Sequence, residues 1–274
     1  MRRSHLLIAV SFSGALCWSG SSVAEVLLAS HKAVHDLVLD RADADLDIQN
    51  MRGQMFYDLS GSMCRGYNLT TRITTETTSK KGGKTASDVR SESWEDYDGD
   101  QFKFSFSRYD SNNQSQSVRG SARRTGGAVL AEIDAPKKDT ASFSGDILFP
   151  TQDSVAIMKA ALAGRSRLEA TVYDGSDGLV VYDTTTVIGP ALKESGNAKL
   201  KSVKNSETLF GLRSWPIAVS YYNHGQNGVG RPVFAVSFRL YDDGVTDELK
   251  LDYGKFVLKG DLSKIEFVDP KPCP

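Results

Sequence analysis

The sequence is poor in the residues that most often bind metals or act as nucleophiles. Its 274 residues include only four histidines and three cysteines, and they contain no HExxH, GxSxG or CxxC motif. The acidic run that begins at Asp43 has Ile48 where a calcium-binding EF-hand loop requires glycine. We therefore predict no catalytic residues, no cofactor and no metal ion, and expect a protein that is not an enzyme.

An excess of positive charge is also missing. The 33 lysines and arginines are balanced by 34 acidic residues, and the formal net charge is -1. The longest basic runs are pairs, such as Arg123-Arg124 and Lys137-Lys138, which are typical of a solvated surface. This composition argues against nucleic acid as a partner.

Long apolar runs are absent except near the N-terminus. Arg2 and Arg3 precede an apolar stretch that is short for a membrane span, and small residues at Ser22 and Ala24 have the spacing of a signal-peptidase site. We predict that residues 1–24 are a signal peptide, that residues 25–274 form one domain in the periplasm, and that the chain is not an integral membrane protein. A retained N-terminal anchor is the alternative.

Loss of the signal peptide would leave two cysteines, Cys64 and Cys273. An exported chain meets an oxidising compartment in which paired cysteines usually form disulfides. We therefore predict a Cys64–Cys273 disulfide that ties down the Pro-flanked C-terminal tail. The alternative is a reactive thiol at one of the two positions.

Apolar and polar residues alternate along most of the chain, which indicates β-strands. In "QFKFSFSRY" the three phenylalanines Phe102, Phe104 and Phe106 share one face, and in "AVHDLVLDR" His35 and Leu37 share a face. Asp-Gly and Asn-Gly pairs between such runs are hairpin signals. We predict a mainly β domain in which one long antiparallel sheet curls into a spiral or an incomplete barrel.

One segment has helical periodicity. "PTQDSVAIMKAALAGR" predicts an α-helix over about residues 151–164, with Thr151 as its N-cap and Gly164 at its end. Its broad apolar face, which includes Ile157 and Leu162, should pack on the sheet or plug its mouth. Most of the aromatic residues should be core, while some are expected to line a concave groove.

Several ordered motifs resemble one known family. "GQMFYDLSGSMCRGYNLTTRITTE", "ILFPTQDSVAIMKAALAG", "VYDGSDG" and "RPVFAVSFRLYDDGVTDELKLDYGKFVLKGDL" are similar to the cell envelope integrity protein EipB family of α-proteobacteria. The resemblance implies a secreted periplasmic protein with a spiral β fold and resistance to envelope stress as its role. It also implies an internal disulfide at Cys64 and Cys273, and a tetratricopeptide-repeat protein as a partner.

Two functions follow as hypotheses, and an enzyme that acts on the cell wall or on lipids is a third alternative. The first is a non-enzymatic periplasmic protein that supports envelope integrity through protein partners. The second is a carrier that binds a lipid or a lipoprotein in the concave face of the sheet, which would require an apolar cavity of several hundred Å³.

Overall fold

The structure is a computed structural model that describes residues 26–62, 64–111, 113–192, 200–225 and 230–269. The predicted signal peptide, residues 1–24, and Cys273 lie outside the described residues.

Within the described ranges, fifteen strands form one sheet. They are β1 His31–Ala42, β2 Asn50–Ser62, β3 Gly66–Thr78, β4 Lys84–Glu95, β5 Gln101–Asp110, β6 Asn113–Thr125, β7 Ala128–Ala135, β8 Asp139–Ser144, β9 Ile147–Leu148, β10 Arg167–Val172, β11 Tyr182–Ile188, β12 Ser214–Asn223, β13 Phe234–Tyr241, β14 Thr246–Asp252 and β15 Phe256–Phe267. The α-helix α1 spans Pro150–Leu162, and two short 3-10 helices span Leu200–Ser202 and Glu207–Leu209.

The strand order shows that the sheet curls back on itself. It runs from β8 down to β1, continues from β1 to β15, and then descends to β9, with antiparallel pairing throughout the named strands except between β9 and β10. The edge strands β8 and β9 are separated by only two residues, Gly145 and Asp146, so the two edges must lie side by side. The sheet is therefore a nearly closed barrel with one seam, which confirms the predicted fold class.

Aromatic side chains close the seam where backbone pairing ends. Tyr173, which follows β10, lies with its ring centroid 5.4 Å from that of Phe143 on β8 and 5.7 Å from that of Phe104 on β5. Phe102 stacks on Phe149 at 4.9 Å and on Phe104 at 5.3 Å. The seam is thus sealed by a buried aromatic cluster that draws on both edges of the sheet.

Helix α1 bridges two parts of the barrel wall at one end. Ile157 and Met158 pack on Trp215 and Ile217 of β12, while the first turn of the helix contacts Glu95 at the end of β4. The helix begins one residue earlier than predicted and ends two residues earlier, and Ile157 is buried as expected.

Two details of the helix prediction are wrong. Thr151 lies inside the helix, and the N-cap is Phe149, whose side chain makes no capping hydrogen bond. Leu162, the last residue of the helix, is 40% exposed, because it lies past Ala161, the last buried position of α1.

The polar stretch between β11 and β12 also contributes to this end. Residues 200–209 carry Leu200 and Leu209, which are buried against Ala33, Leu262 and Ile265 of β1 and β15. Together with α1, this segment fills the end of the barrel that we call the helix end.

Candidate binding site inside the sheet

The opposite end of the barrel is open, and we call it the mouth. Strand register brings the end of β1 next to the start of β15, and the end of β3 next to the starts of β2 and β4. A cavity of about 510 Å³ lies there on the inner face. This volume falls within the range of about 300–1,000 Å³ that is usual for small-molecule sites.

The wall of the cavity on β2–β5 is a row of side chains in register. Met55 pairs with Ile73, Ile73 with Val89, and Val89 with Arg108. Ile73 and Val89 line the cavity and are only partly buried. Because alternate residues of a strand share a face, the next rows bring Met51 and Thr75 to the same cavity.

The other wall is aromatic. Phe256 and Tyr253 stack with ring centroids 4.9 Å apart, Tyr253 lies 5.0 Å from Phe234, and Phe234 lies 5.8 Å from Tyr221. Tyr253, Phe256 and Leu258 line the cavity. Burial raises the pKa of Tyr253, so its phenol stays neutral at physiological pH.

Arg108 is the cation of this cavity. It follows Phe102, Phe104 and Phe106 at intervals of two residues on β5 and lines the cavity on the inner face, where, unlike the buried Phe102 and Phe104, it is exposed at the open end. Among the described residues its guanidinium has no ion pair, whereas Asp110, further toward the rim, accepts a hydrogen bond of 2.6 Å from Ser115 Oγ. Among the described residues, the lining of the mouth thus combines apolar side chains and the hydroxyls of several Thr and Ser residues with one guanidinium and one carboxylate.

Two buried carboxyl groups, those of Glu95 and Asp153, lie at the helix end. Glu95 accepts the backbone N–H groups of Thr151 and Gln152 at 2.6 and 3.2 Å, and burial raises its pKa to about 7. Asp153 is also buried, and burial raises its pKa to about 6. Glu95 caps the helix, whereas Asp153 Oδ1 has no hydrogen-bond partner among the described residues, and neither residue lines the mouth.

The two histidines of β1 are buried on the inner face. His31 Nδ1 lies 2.7 Å from the Ala29 carbonyl, and His35 Nε2 lies 3.0 Å from the Thr246 carbonyl. Burial lowers the pKa of both, so both are neutral at physiological pH. Across the described ranges, no group of three or more His, Cys, Asp or Glu side chains is arranged to hold a metal ion.

The outer face of β1–β5 carries a larger but shallower hollow of about 830 Å³. Its charged groups are satisfied by one another. Asp88 accepts hydrogen bonds from Arg72 and Arg90, which lower its pKa to about 2, and Arg52 pairs with Glu76 at 3.0 Å. A mutually paired outer surface offers less to a ligand than the mouth does, and we take the mouth as the candidate site.

Cys64 lies in the turn between β2 and β3, with its Sγ 3.4 Å from Ser62 Oγ. Its predicted partner Cys273 is not among the described residues, so the disulfide stays a prediction. Within the part of the chain that the structure describes, no helix has the length and hydropathy needed to cross a membrane.

The sequence pattern that predicts the inward-facing phenylalanines of β5 also extends to Arg108. The alternation Phe102, Phe104, Phe106 continues by one step to Arg108, which places a charge on an otherwise apolar face. No local pattern marks Glu95 as the acceptor for α1, because the two are more than fifty residues apart.

Comparison with known proteins agrees with the fold. A family model described as EipB-like matches residues 22–269. The chain is 30% identical over 280 residues to the cell envelope integrity protein EipB of Brucella abortus (strain 2308), which covers 98% of this chain and 96% of that protein. A crystal structure of a beta-barrel-like protein of a domain of unknown function from Brucella abortus superposes with a TM-score of 0.82 at 29% identity, covering 89% of this chain and all of the other. The chain belongs to the EipB-like family.

Proposed function

We propose that this protein is a non-enzymatic periplasmic protein that supports cell envelope integrity by binding an acyl chain in the mouth of its barrel. Its homology to EipB supports the role in envelope integrity. The periplasmic location is supported by the signal-peptide pattern of residues 1–24.

The observation that carries the binding proposal is the partly exposed apolar lining of the mouth. Ile73, Val89 and Phe256 face a cavity of about 510 Å³, although burying them would be favourable. At the helix end of the same barrel, α1 and residues 200–209 pack on the sheet and leave a smaller cavity of about 420 Å³ beside the first turns of α1. An acyl chain in the mouth would cover the apolar groups that the fold leaves open there.

A cavity-filling substitution tests this proposal. Ile73→Trp places a bulky ring in the mouth, whereas Thr70→Trp adds the same ring to an exposed outer position of β3. Native mass spectrometry of protein purified from the periplasm should find a retained lipid mass on the wild type and on Thr70→Trp but not on Ile73→Trp. A wild-type protein that carries no ligand and takes up no added fatty acid would refute binding.

The same pair of variants connects binding to the envelope. A strain that lacks the protein should become more sensitive to bile-salt detergent, and Thr70→Trp should restore resistance where Ile73→Trp does not. Equal complementation by both variants, at equal protein levels, would show that the envelope role does not depend on the mouth.

The protein partner expected from the family resemblance remains a prediction. Exposed large apolar side chains occur on several elements, among them Val38 on β1, Phe56 on β2 and Val187 on β11. They do not single out one surface for a tetratricopeptide-repeat partner. Co-purification from cells after chemical cross-linking is the direct measurement.

A further inference from the structure

We propose that the mouth selects a single acyl chain that ends in a carboxylate, and that the Arg108 guanidinium binds this carboxylate. The inference rests on the proposed function of the mouth and adds the chemistry of the head group.

Arg108 differs from the arginines on the outer face of the neighbouring strands. Arg52, Arg72 and Arg90 each lie 3.0 Å or less from a carboxylate oxygen. Among the described residues, no such partner accompanies Arg108, which lines the cavity instead. A guanidinium presents its donors in a planar fork that matches the two oxygens of a carboxylate.

The Arg108 guanidinium lies among apolar and aromatic side chains. Val89 is its register partner on β4, and Ile73 follows on β3, so the charge borders an apolar wall. Tyr253 lies close to Arg108: burial raises the pKa of the Tyr253 phenol, and the positive charge of Arg108 lowers it in part. A cation between an apolar wall and an aromatic wall suits a ligand with a charged end and an apolar body.

The charges and the size of the mouth bear on how many anionic groups and how many chains the ligand has. Asp110 also lines the cavity and carries a negative charge beside Arg108. Of these two charged side chains only Arg108 attracts an anion, so one guanidinium matches a ligand with one anionic group, such as a carboxylate. The cavity of about 510 Å³ has room for one drug-sized ligand, which favours one chain over two.

The experiment compares two ligands with the same chain, dodecanoate and 1-dodecanol. Each displaces the neutral fluorescent probe N-phenyl-1-naphthylamine from the wild type, Arg108→Gln, Arg108→Lys and Arg119→Gln. Arg119 is an exposed arginine on β6, one residue from inward-facing Val118, and serves as the matched control. Thermal melting of each variant checks that it is folded.

We expect Arg108→Gln to weaken displacement by dodecanoate about tenfold relative to displacement by dodecanol. Loss of one hydrogen bond to a charged group lowers affinity by about this factor. Arg108→Lys should keep part of the preference, and Arg119→Gln should keep all of it. Added salt should weaken the binding of dodecanoate to the wild type and leave the binding of dodecanol unchanged.

The outcomes separate the two proposals. If the probe binds but the ratio of dodecanoate to dodecanol is the same in the wild type and Arg108→Gln, the head-group inference is overturned and the proposed function stands. Equal loss in Arg119→Gln also overturns it, since a general charge effect would then explain the data. If neither ligand nor the probe binds the wild type, the proposed function itself fails.

Discussion

The Glu95 carboxylate, at the end of β4, accepts the backbone N–H of Thr151 at 2.6 Å and so caps a helix that begins more than fifty residues later in the chain. The first N–H groups of a helix have no intrahelical partner. Phe149, at the N-cap, has no side-chain acceptor to offer, and Glu95 also accepts the N–H of Gln152. One carboxylate from the barrel wall therefore does what a local Ser or Asp usually does.

Removing this acceptor should destabilise the protein. Glu95→Ala leaves buried N–H groups of Thr151 and Gln152 without a partner, which we expect to cost about 1–3 kcal/mol in the free energy of unfolding. Denaturant titration measures the loss. Glu92→Ala, on the exposed side of β4, should change stability by less than about 0.5 kcal/mol, and an equal effect of both substitutions would contradict the capping role.

The buried Glu95 carboxyl also predicts a pH dependence of stability. Burial raises its pKa from 4.5 to about 7, so the folded state keeps the proton that the unfolded state releases above pH 4.5. The contribution of Glu95 to stability is full below about pH 4.5, falls as the pH rises toward 7, and is lost above that.

Glu95→Gln isolates this contribution because it removes the titration and keeps one acceptor. From pH 5 to pH 8 the unfolding free energy of the wild type should fall relative to that of the variant. The contribution of Asp153 to stability also falls as the pH rises, whereas the contributions of His31 and His35 rise with pH below pH 6.5. All three residues remain in the variant, so their contributions cancel in the difference. Parallel pH profiles would mean that Glu95 is already ionised in the folded protein at pH 5.

Two substitutions on α1 should differ strongly. Ile157 is 4% exposed and packs on the sheet, so Ile157→Ala should cost about 2–5 kcal/mol. Leu162 is 40% exposed, and Leu162→Ala should cost less than about 1 kcal/mol. Equilibrium unfolding of both variants checks the packing, and similar losses would mean that the helix is rotated from the orientation described.

The aromatic seam should be a main determinant of stability. Tyr173→Ala removes the ring that joins Phe143 to Phe104, and we expect a loss of about 3–5 kcal/mol. Tyr173→Phe keeps the ring and loses only the hydroxyl, which donates a hydrogen bond of 2.9 Å to the Gly178 carbonyl, so it should cost about 1 kcal/mol. Calorimetry distinguishes the two, and a mild effect of Tyr173→Ala would mean that the seam is held by other contacts.

The predicted Cys64–Cys273 disulfide has a direct measurement. Thiol titration of unreduced protein after export should find no reactive thiol, and reduction should lower the melting temperature while the domain stays folded. Cys64→Ser and Cys273→Ser should behave alike, and the double variant should be no worse, because each removes the same bond. Two titratable thiols in unreduced protein would refute the bond.

The alternation of side chains carried most of the fold prediction. It predicted that His35 and Leu37 share a face of β1 and that Phe102, Phe104 and Phe106 share a face of β5. In the structure His35, Leu37, Phe102 and Phe104 are buried and Phe106 is partly buried. The exposure of Leu162 and the capping of α1 by Glu95 were not predictable, because both depend on which distant strand meets the helix. The position of the mouth could not be predicted from the sequence either, because it depends on which end of the barrel α1 occupies.

The adjacency of the two sheet edges in the chain has a consequence for how the molecule folds. Along the barrel every strand lies next to its sequence neighbour, except that β1 pairs with β15 and β8 does not pair with β9. A circular permutant opened between Gly145 and Asp146, with the native ends joined, would run from β9 to β15 and then from β1 to β8 in spatial order. Such a chain would need no pairing between its two extremes. Because distant pairings require loop closure before they stabilise anything, the natural connectivity makes β1–β15 docking the costliest contact to form, and the permuted chain should fold faster to the same barrel.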